Sequence, residues 1–153
     1  MAALEDIYSQ RILELAASIP HTARLADPDA TELAHSKLCG STIAVDLKME
    51  GDRVTAYGQN VKACLLGQSS ASIVGRLIIG STAAEIRQVA ETMRRMLKEN
   101  GPPPTGRWAD LAVLEPVRDY KSRHTSTLLV FEAIERAIAK IEAKRAAERV
   151  PAA

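Results

Sequence analysis

The stretch from Cys39 to Cys64 constrains this chain most, because the only two cysteines stand at its ends and the residues between them read as a strand, a tight turn and a second strand. Thr42-Ile-Ala-Val-Asp-Leu-Lys-Met49 alternates apolar and polar side chains, the period of a half-buried strand, and Arg53-Val-Thr-Ala-Tyr57 opens a run rich in β-branched and aromatic residues. Gly51-Asp52 suits a two-residue hairpin loop, since glycine supplies the positive φ that such loops require. With Glu50 facing Arg53, Met49 faces Val54, Leu47 faces Ala56, and Cys39 falls opposite Cys64. Directly opposed residues of an antiparallel pair have Cβ atoms about 4.5–5.5 Å apart on one face, so the hairpin predicts two neighbouring thiols. A β-bulge would shift this pairing by one residue without separating them.

The rest of the chain is read around that hairpin. Its 153 residues suit one domain, expected over residues 1–146 with a short tail at 147–153, and 46% hydrophobic with 25% charged residues is the balance of a soluble globular protein. A net charge of +1 recommends neither nucleic acid nor an acidic membrane as partner. Met1-Ala-Ala-Leu-Glu-Asp6 lacks the basic start and long apolar run of a signal peptide, and no apolar stretch reaches membrane-spanning length, so a cytoplasmic location is expected. In that compartment two cysteines point to metal or sulfur chemistry, or to plain buried residues, rather than to a structural disulfide.

Leu4 to Ala17 predicts an amphipathic helix ended by Pro20, and Thr31 to Ala34 a short edge strand. His21, Asp27, Asp29 and His35 have no compact metal-site spacing and read as solvated loop residues. Leu66 to Ile79 predicts a helix stopped by Gly80. Cys64 would then sit just before a helix N-terminus, where backbone N–H groups and the helix dipole favour a thiolate; alternatively it is a small buried residue that lets helix and sheet approach. Thr82-Ala-Ala-Glu85 is a capping box opening a helix with Ile86, Val89, Ala90, Met93 and Leu97 on one face and a charged, solvated opposite face. Asn100-Gly-Pro102 stops it, and Trp108 to Leu114 predicts a short helix ended by Pro116. The last helix is expected to start near Ser126, capped by Thr125 or Ser126, with Leu128, Phe131, Ile134, Ile138 and Ile141 inward. The sum is an α+β domain: an N-terminal helix, a small antiparallel sheet of about three strands, and several C-terminal helices packed on one face.

The cysteine segments carry a resemblance. Ser36-Lys-Leu-Cys39-Gly-Ser41, a hairpin, then Cys64-Leu-Leu-Gly-Gln-Ser-Ser-Ala-Ser72 resembles the iron-sulfur cluster assembly scaffold family: IscU and SufU proteins and the NifU N-terminal domain. That family carries Asn-Pro-x-Cys-Gly-Asp at its first site and a cysteine leading into a Ser/Ala-rich helix at its second, of which Gln68-Ser-Ser-Ala-Ser72 is the most specific match. Its third site, Arg-x-Lys-Cys-Ala, aligns with Arg123-His-Thr-Ser126-Thr. The resemblance implies a SufE/NifU-like fold and a non-enzymatic scaffold that binds iron and iron-sulfur clusters, accepts sulfur, and works with a cysteine desulfurase and other assembly proteins, a homodimer being open. This chain departs from the family where the chemistry lies, with Ser41 in place of the aspartate and Ser126 in place of the third cysteine. Serine is a poor substitute, because a neutral hydroxyl holds soft metals far less well than a thiolate.

Three functions follow from the resemblance. In the first, Cys39 and Cys64 bind a cluster or metal, with His124 or a second protomer completing the shell, and Cys64 receives the sulfur. In the second, the fold is a binding module that contacts a partner without holding a cluster. In the third, Cys39, Cys64 and His124 hold a structural zinc.

Overall fold

The computed structural model of the protein describes residues 8–149. Helix α1 spans Gln10–Ala17, its first turn capped by the Ser9 hydroxyl, which accepts from the Ile12 amide at 3.3 Å. Ser9 is its N-cap, and residues 4–7 of the expected helix lie outside the described residues. Ile12 and Leu15 are its buried face.

Three strands follow: β1 (Ala30–His35), β2 (Thr42–Glu50) and β3 (Arg53–Lys62), in an antiparallel sheet of order β1-β2-β3. Glu50 faces Arg53 and Met49 faces Val54, as the hairpin turn dictates. The pairing then slips by one residue at Lys48/Met49, so Leu47 faces Tyr57 rather than Ala56, and the ladder ends at Thr42 opposite Lys62. Thr55 is the extra residue of this bulge, with its hydroxyl on the Lys48 carbonyl at 3.3 Å. Consequently Cys39 and Cys64 lie just beyond the sheet and are not a cross-strand pair.

Helix α2 (Leu65–Leu77) leaves β3 directly, α3 (Ala83–Lys98) follows, and Gly106–Asp119 winds as a 3-10 helix through Pro116 instead of ending there. A shorter 3-10 turn, Lys121–Arg123, leads into α4 (His124–Arg149), which packs on β1 and β2 and against α2 and α3. The helix thus starts two residues before Ser126 and runs to Arg149. Thr82 caps α3 through the Glu85 amide at 3.1 Å. The Glu85 carboxylate turns to the Trp108 Nε1 at 2.7 Å and to Arg107 at 3.0 Å, which pins the 3-10 segment to α3.

One core fills the space between sheet and helices. Ile43, Val45 and Leu47 from β2 meet Leu129, Phe131, Ile134 and Ile138 from α4, with Ile86, Met93 and Leu97 from α3 and Trp108, Leu111 and Leu114 closing one side. Burying each large apolar side chain contributes roughly 1.5–3 kcal/mol. No helix among the described residues is long and apolar enough to cross a membrane.

Candidate functional site

The site forms where three loops and helix starts meet at one end of the sheet. The connection from β1 to β2 is the tight loop Ser36 to Ser41: the Ser36 amide donates to the Ser41 carbonyl at 2.8 Å, and the Gly40 amide to the Ser36 carbonyl at 2.8 Å. Gly40 makes that turn at φ 72°, a conformation costly for other residues, and the turn lifts Cys39 to the surface. Cys64 precedes α2 in an extended conformation, and its side chain makes no capping bond. Its sulfur instead lies half-buried, 3.2 Å from the Ser126 hydroxyl in the first turn of α4. Gly67 permits that approach, since a Cβ there would stand 3.1 Å from the Ser126 carbonyl and 2.8 Å from the Ala63 Cβ.

Ser41 joins the two cysteine segments. Its buried hydroxyl lies 2.9 Å from the Cys39 sulfur and accepts from the Cys64 amide at 3.3 Å. With its acceptor side occupied by that amide, its proton is free to point at the Cys39 sulfur. Ser36 adds a hydroxyl 3.5 Å from the same sulfur. Partial burial pushes the Cys39 thiol up, but hydrogen bonds from Ser36, from the Ser41 hydroxyl and amide, and from Ser126 outweigh it and bring the thiol down to about 7. The structure therefore surrounds Cys39 with groups that favour its thiolate. The reason is local: hydroxyl donors surround Cys39, while Cys64 turns away from the amides it precedes.

His124 stands elsewhere. Its ring is buried, and Nε2 lies 3.0 Å from the Val117 carbonyl and 3.1 Å from the Arg118 carbonyl, to which it donates. Two residues along a helix are about 200° apart around its axis, so a helix that turns Ser126 to the sulfurs turns His124 away from them. The proposed ligand set of Cys39, Cys64 and His124 is not assembled, and no group of three or more His, Cys, Asp or Glu able to hold a metal occurs among the described residues. The helix starts at His124, so the expected caps Thr125 and Ser126 lie inside its first turn; the Ser126 hydroxyl donates to the Arg123 carbonyl at 3.2 Å, as does that of Thr127 at 2.8 Å.

Of the remaining acids and histidines, Asp29 accepts from the Met49 amide at 2.8 Å, Asp27 lies 3.5 Å from Lys48, and His21 packs edge-on against Tyr57. Sequence reasoning passed over Ser36 as a site residue, although its place three residues before Cys39 in a six-residue loop was a usable signal.

The arrangement supplies two thiols, one of them substantially ionised near neutral pH, ringed by the hydroxyls of Ser36, Ser41 and Ser126. Such a group can act as a sulfur nucleophile and as a soft two-thiolate ligand.

No family model matches the chain. In sequence it is 27% identical over 136 residues to the iron-sulfur cluster assembly scaffold protein IscU of Thermotoga maritima, covering 88% of this chain and 94% of that protein. The crystal structure of the N-terminal part of a nitrogen-fixing NifU-like protein from Brucella abortus superposes with a TM-score of 0.91 at 54% identity, covering 92% of this chain and 98% of that one. A SUF-system iron-sulfur cluster assembly scaffold protein of Fervidobacterium islandicum shares the fold, with a TM-score of 0.81 at 18% identity over 89% of this chain and 99% of that one. With fold, chain length and sequence in agreement, the chain belongs to the IscU/SufU/NifU family.

Proposed function

We propose that the protein is an iron-sulfur cluster assembly scaffold that takes up sulfur and iron at the Cys39 and Cys64 pair and passes the finished cluster on. The relatives named as scaffolds support this reading, and the observation that carries it is the convergence of Cys39, Ser41, Cys64 and Ser126 from three separate segments. The cluster is cargo, so the protein works as a carrier rather than a catalyst of turnover. Sulfur would arrive as the terminal sulfur of a persulfide on a cysteine desulfurase. The Cys39 thiolate attacks that sulfur, a new S–S bond forms as the donor's S–S bond breaks, and the electron pair leaves on the donor thiolate with no net oxidation. Cys64, close by, then offers the second thiolate for iron.

Among the described residues no group of three His, Cys, Asp or Glu side chains gathers as a metal site, so the zinc reading has no support. Ser41 and Ser126 favour one other reading, a binding module that keeps the fold and contacts a partner without a cluster. Anaerobic reconstitution with ferrous iron and sulfide separates the two. A visible cluster absorption and bound iron in the wild type, both lost in Cys39→Ala and Cys64→Ala, support the scaffold. Absence of bound iron together with undiminished desulfurase binding in both variants supports the module.

A further inference from the structure

Cys39 and Cys64 are each one hydroxyl away from the other. The Ser126 hydroxyl meets the Cys64 sulfur at 3.2 Å and also hydrogen-bonds the Cys39 sulfur, and the Ser41 hydroxyl stands 2.9 Å from the Cys39 sulfur and 3.3 Å from the Cys64 amide. Both cysteines are free thiols, Cys39 exposed on its loop and Cys64 half-buried beside the buried Ser41 and Ser126. We infer that Cys64 resolves a persulfide carried on Cys39: it attacks the Cys39 Sγ, forms a disulfide within one chain and releases the outer sulfur as sulfide. The inference rests on the sulfur uptake proposed above and deepens it by naming the source of the electrons. The outer sulfur of a persulfide must take an electron pair to leave as sulfide, and Cys64 is the only other thiol in the chain.

The direction of attack follows from the difference in exposure. Buried Ser36, Ser41 and Ser126 occupy the interior side of the Cys39 sulfur, so an incoming sulfur bonds to it from solvent and the outer atom of the persulfide points outward. Cys64 lies on the interior side. Exchange at sulfur runs with the attacking and leaving atoms in line, so a nucleophile inside and a leaving group outside select the Cys39 Sγ, not the outer sulfur, as the atom attacked. The bond between the Cys64 and Cys39 sulfurs forms as the bond from Cys39 to the outer sulfur breaks. The electron pair departs on the outer sulfur as hydrosulfide, and the Cys64 proton, which is donated to the Ser126 Oγ at 3.2 Å, passes to solvent. The outer sulfur is thereby reduced and Cys64 oxidised, with no outside electron donor consumed. A dithiol reductant must then open the disulfide before the pair is available to iron, which places a thiol–disulfide exchange directly after this step.

The test treats the reduced, metal-free full chain anaerobically with glutathione persulfide, removes excess donor, and follows released sulfide, intact mass and non-reducing peptide maps. The wild type is expected to release about one sulfide per chain without added reductant. Its mass should pass from the gain of one sulfur atom to the loss of two hydrogens, with a Cys39–Cys64 crosslink in the map. Cys64→Ser and Cys64→Ala, checked for folding by circular dichroism, are expected to take up the same sulfur and keep it on Cys39, releasing sulfide about tenfold more slowly or less. Cys39→Ala is expected to form no crosslink. A wild-type persulfide as long-lived as that of Cys64→Ser, sulfur recovered on Cys64, or a disulfide joining two chains overturns the inference and leaves sulfur uptake standing. Failure of Cys39 to take sulfur from the donor overturns both. Reconstitution with inorganic sulfide bypasses this step, so cluster binding there tests the scaffold reading separately.

Discussion

Replacing Ser41 tests whether its hydroxyl sets the reactivity of Cys39. With the thiol at about 7, half of Cys39 is thiolate at neutral pH, and the Ser41 hydroxyl at 2.9 Å is the nearest of the groups that lower it. Ser41→Ala keeps the Ser41 amide, Ser36 and Ser126, so we expect the Cys39 midpoint to rise by about one unit. At pH 7 the thiolate fraction then falls roughly fivefold, but a more basic thiolate attacks roughly threefold faster, so the net rate falls only about twofold. Well above pH 8 nearly all the thiol is ionised and the variant becomes the faster, by about two- to threefold. The two pH profiles therefore cross. Ser41→Asp adds an acceptor-only carboxylate whose repulsion at about 4 Å is on the order of 1 kcal/mol in a watery setting, so its midpoint should lie higher still. Iodoacetamide alkylation of metal-free protein between acid and alkaline pH, read at Cys39 by peptide mass spectrometry, measures these curves. Superimposed profiles with a common midpoint near 7 would refute the role given to Ser41. The sign for stability follows too: a thiol lowered on folding stabilises the fold above its unfolded value, and that contribution is lost as pH falls from about 9 through 7.

Three further outcomes are expected. Asp46→Ala removes a wholly buried carboxylate that accepts from Arg24 at 2.6 and 2.9 Å, from the Leu25 amide at 3.0 Å and from the Thr31 hydroxyl, and should destabilise the protein by roughly 2–4 kcal/mol, a discount being made for the half-exposed Arg24; thermal melts check it. Because Arg24 holds Asp46 below the usual carboxylate range, its contribution is present above about pH 4 and lost as pH falls through the lowered value, so the variant's stability should depend less on pH in that acid range. Gly67→Ala forces α2 away from the Ser126 backbone at a cost of about 1–3 kcal/mol and should reduce iron retained after reconstitution, measured beside a urea titration. Phe131→Ala, at the fully buried centre of α4, should cost about 3–5 kcal/mol by the same titration without changing the Cys39 alkylation midpoint.

What the sequence made legible was whatever local periodicity and turn chemistry decide. The Glu50–Arg53 hairpin, the Thr82 cap and the inward stripe Leu128, Phe131, Ile134, Ile138 and Ile141 follow from spacing alone, and each is found. What escaped depends on contacts distant in sequence. The bulge at Thr55 leaves no mark in the strand pattern, yet it decides that Leu47 meets Tyr57. Asp46 reads as an outward polar residue of an alternating strand, but Arg24 and Leu25, from the segment before β1, close over it. The surroundings of Cys39 escaped for a similar reason: a helix N-terminus is visible from sequence, whereas the hydroxyls that gather on Cys39 come from its own loop and from α4, most of a chain away. His124 escaped because the helix was expected to start near Ser126; starting it at His124 places the two residues about 200° apart around the axis.

The two serines change the balance of the site without dismantling it. A carboxylate at position 41 would offer a metal an anionic ligand but would repel the neighbouring Cys39 thiolate, whereas a hydroxyl offers the metal little and stabilises that thiolate by donation. The present site thus gives up ligand strength and gains a sulfur that is nucleophilic at neutral pH. The same exchange at position 126 leaves Cys64 with a hydrogen-bonding partner in place of a third sulfur. Taken together, these replacements favour the step that needs one good nucleophile, sulfur uptake, over the step that needs several thiolates on one chain, cluster retention. A chain so equipped should acquire sulfur readily and hold a finished cluster weakly. Persulfide transfer to Cys39 should then go to completion in metal-free protein, while a reconstituted cluster is stripped by a brief chelator challenge; slow transfer beside a chelator-resistant cluster would refute this division.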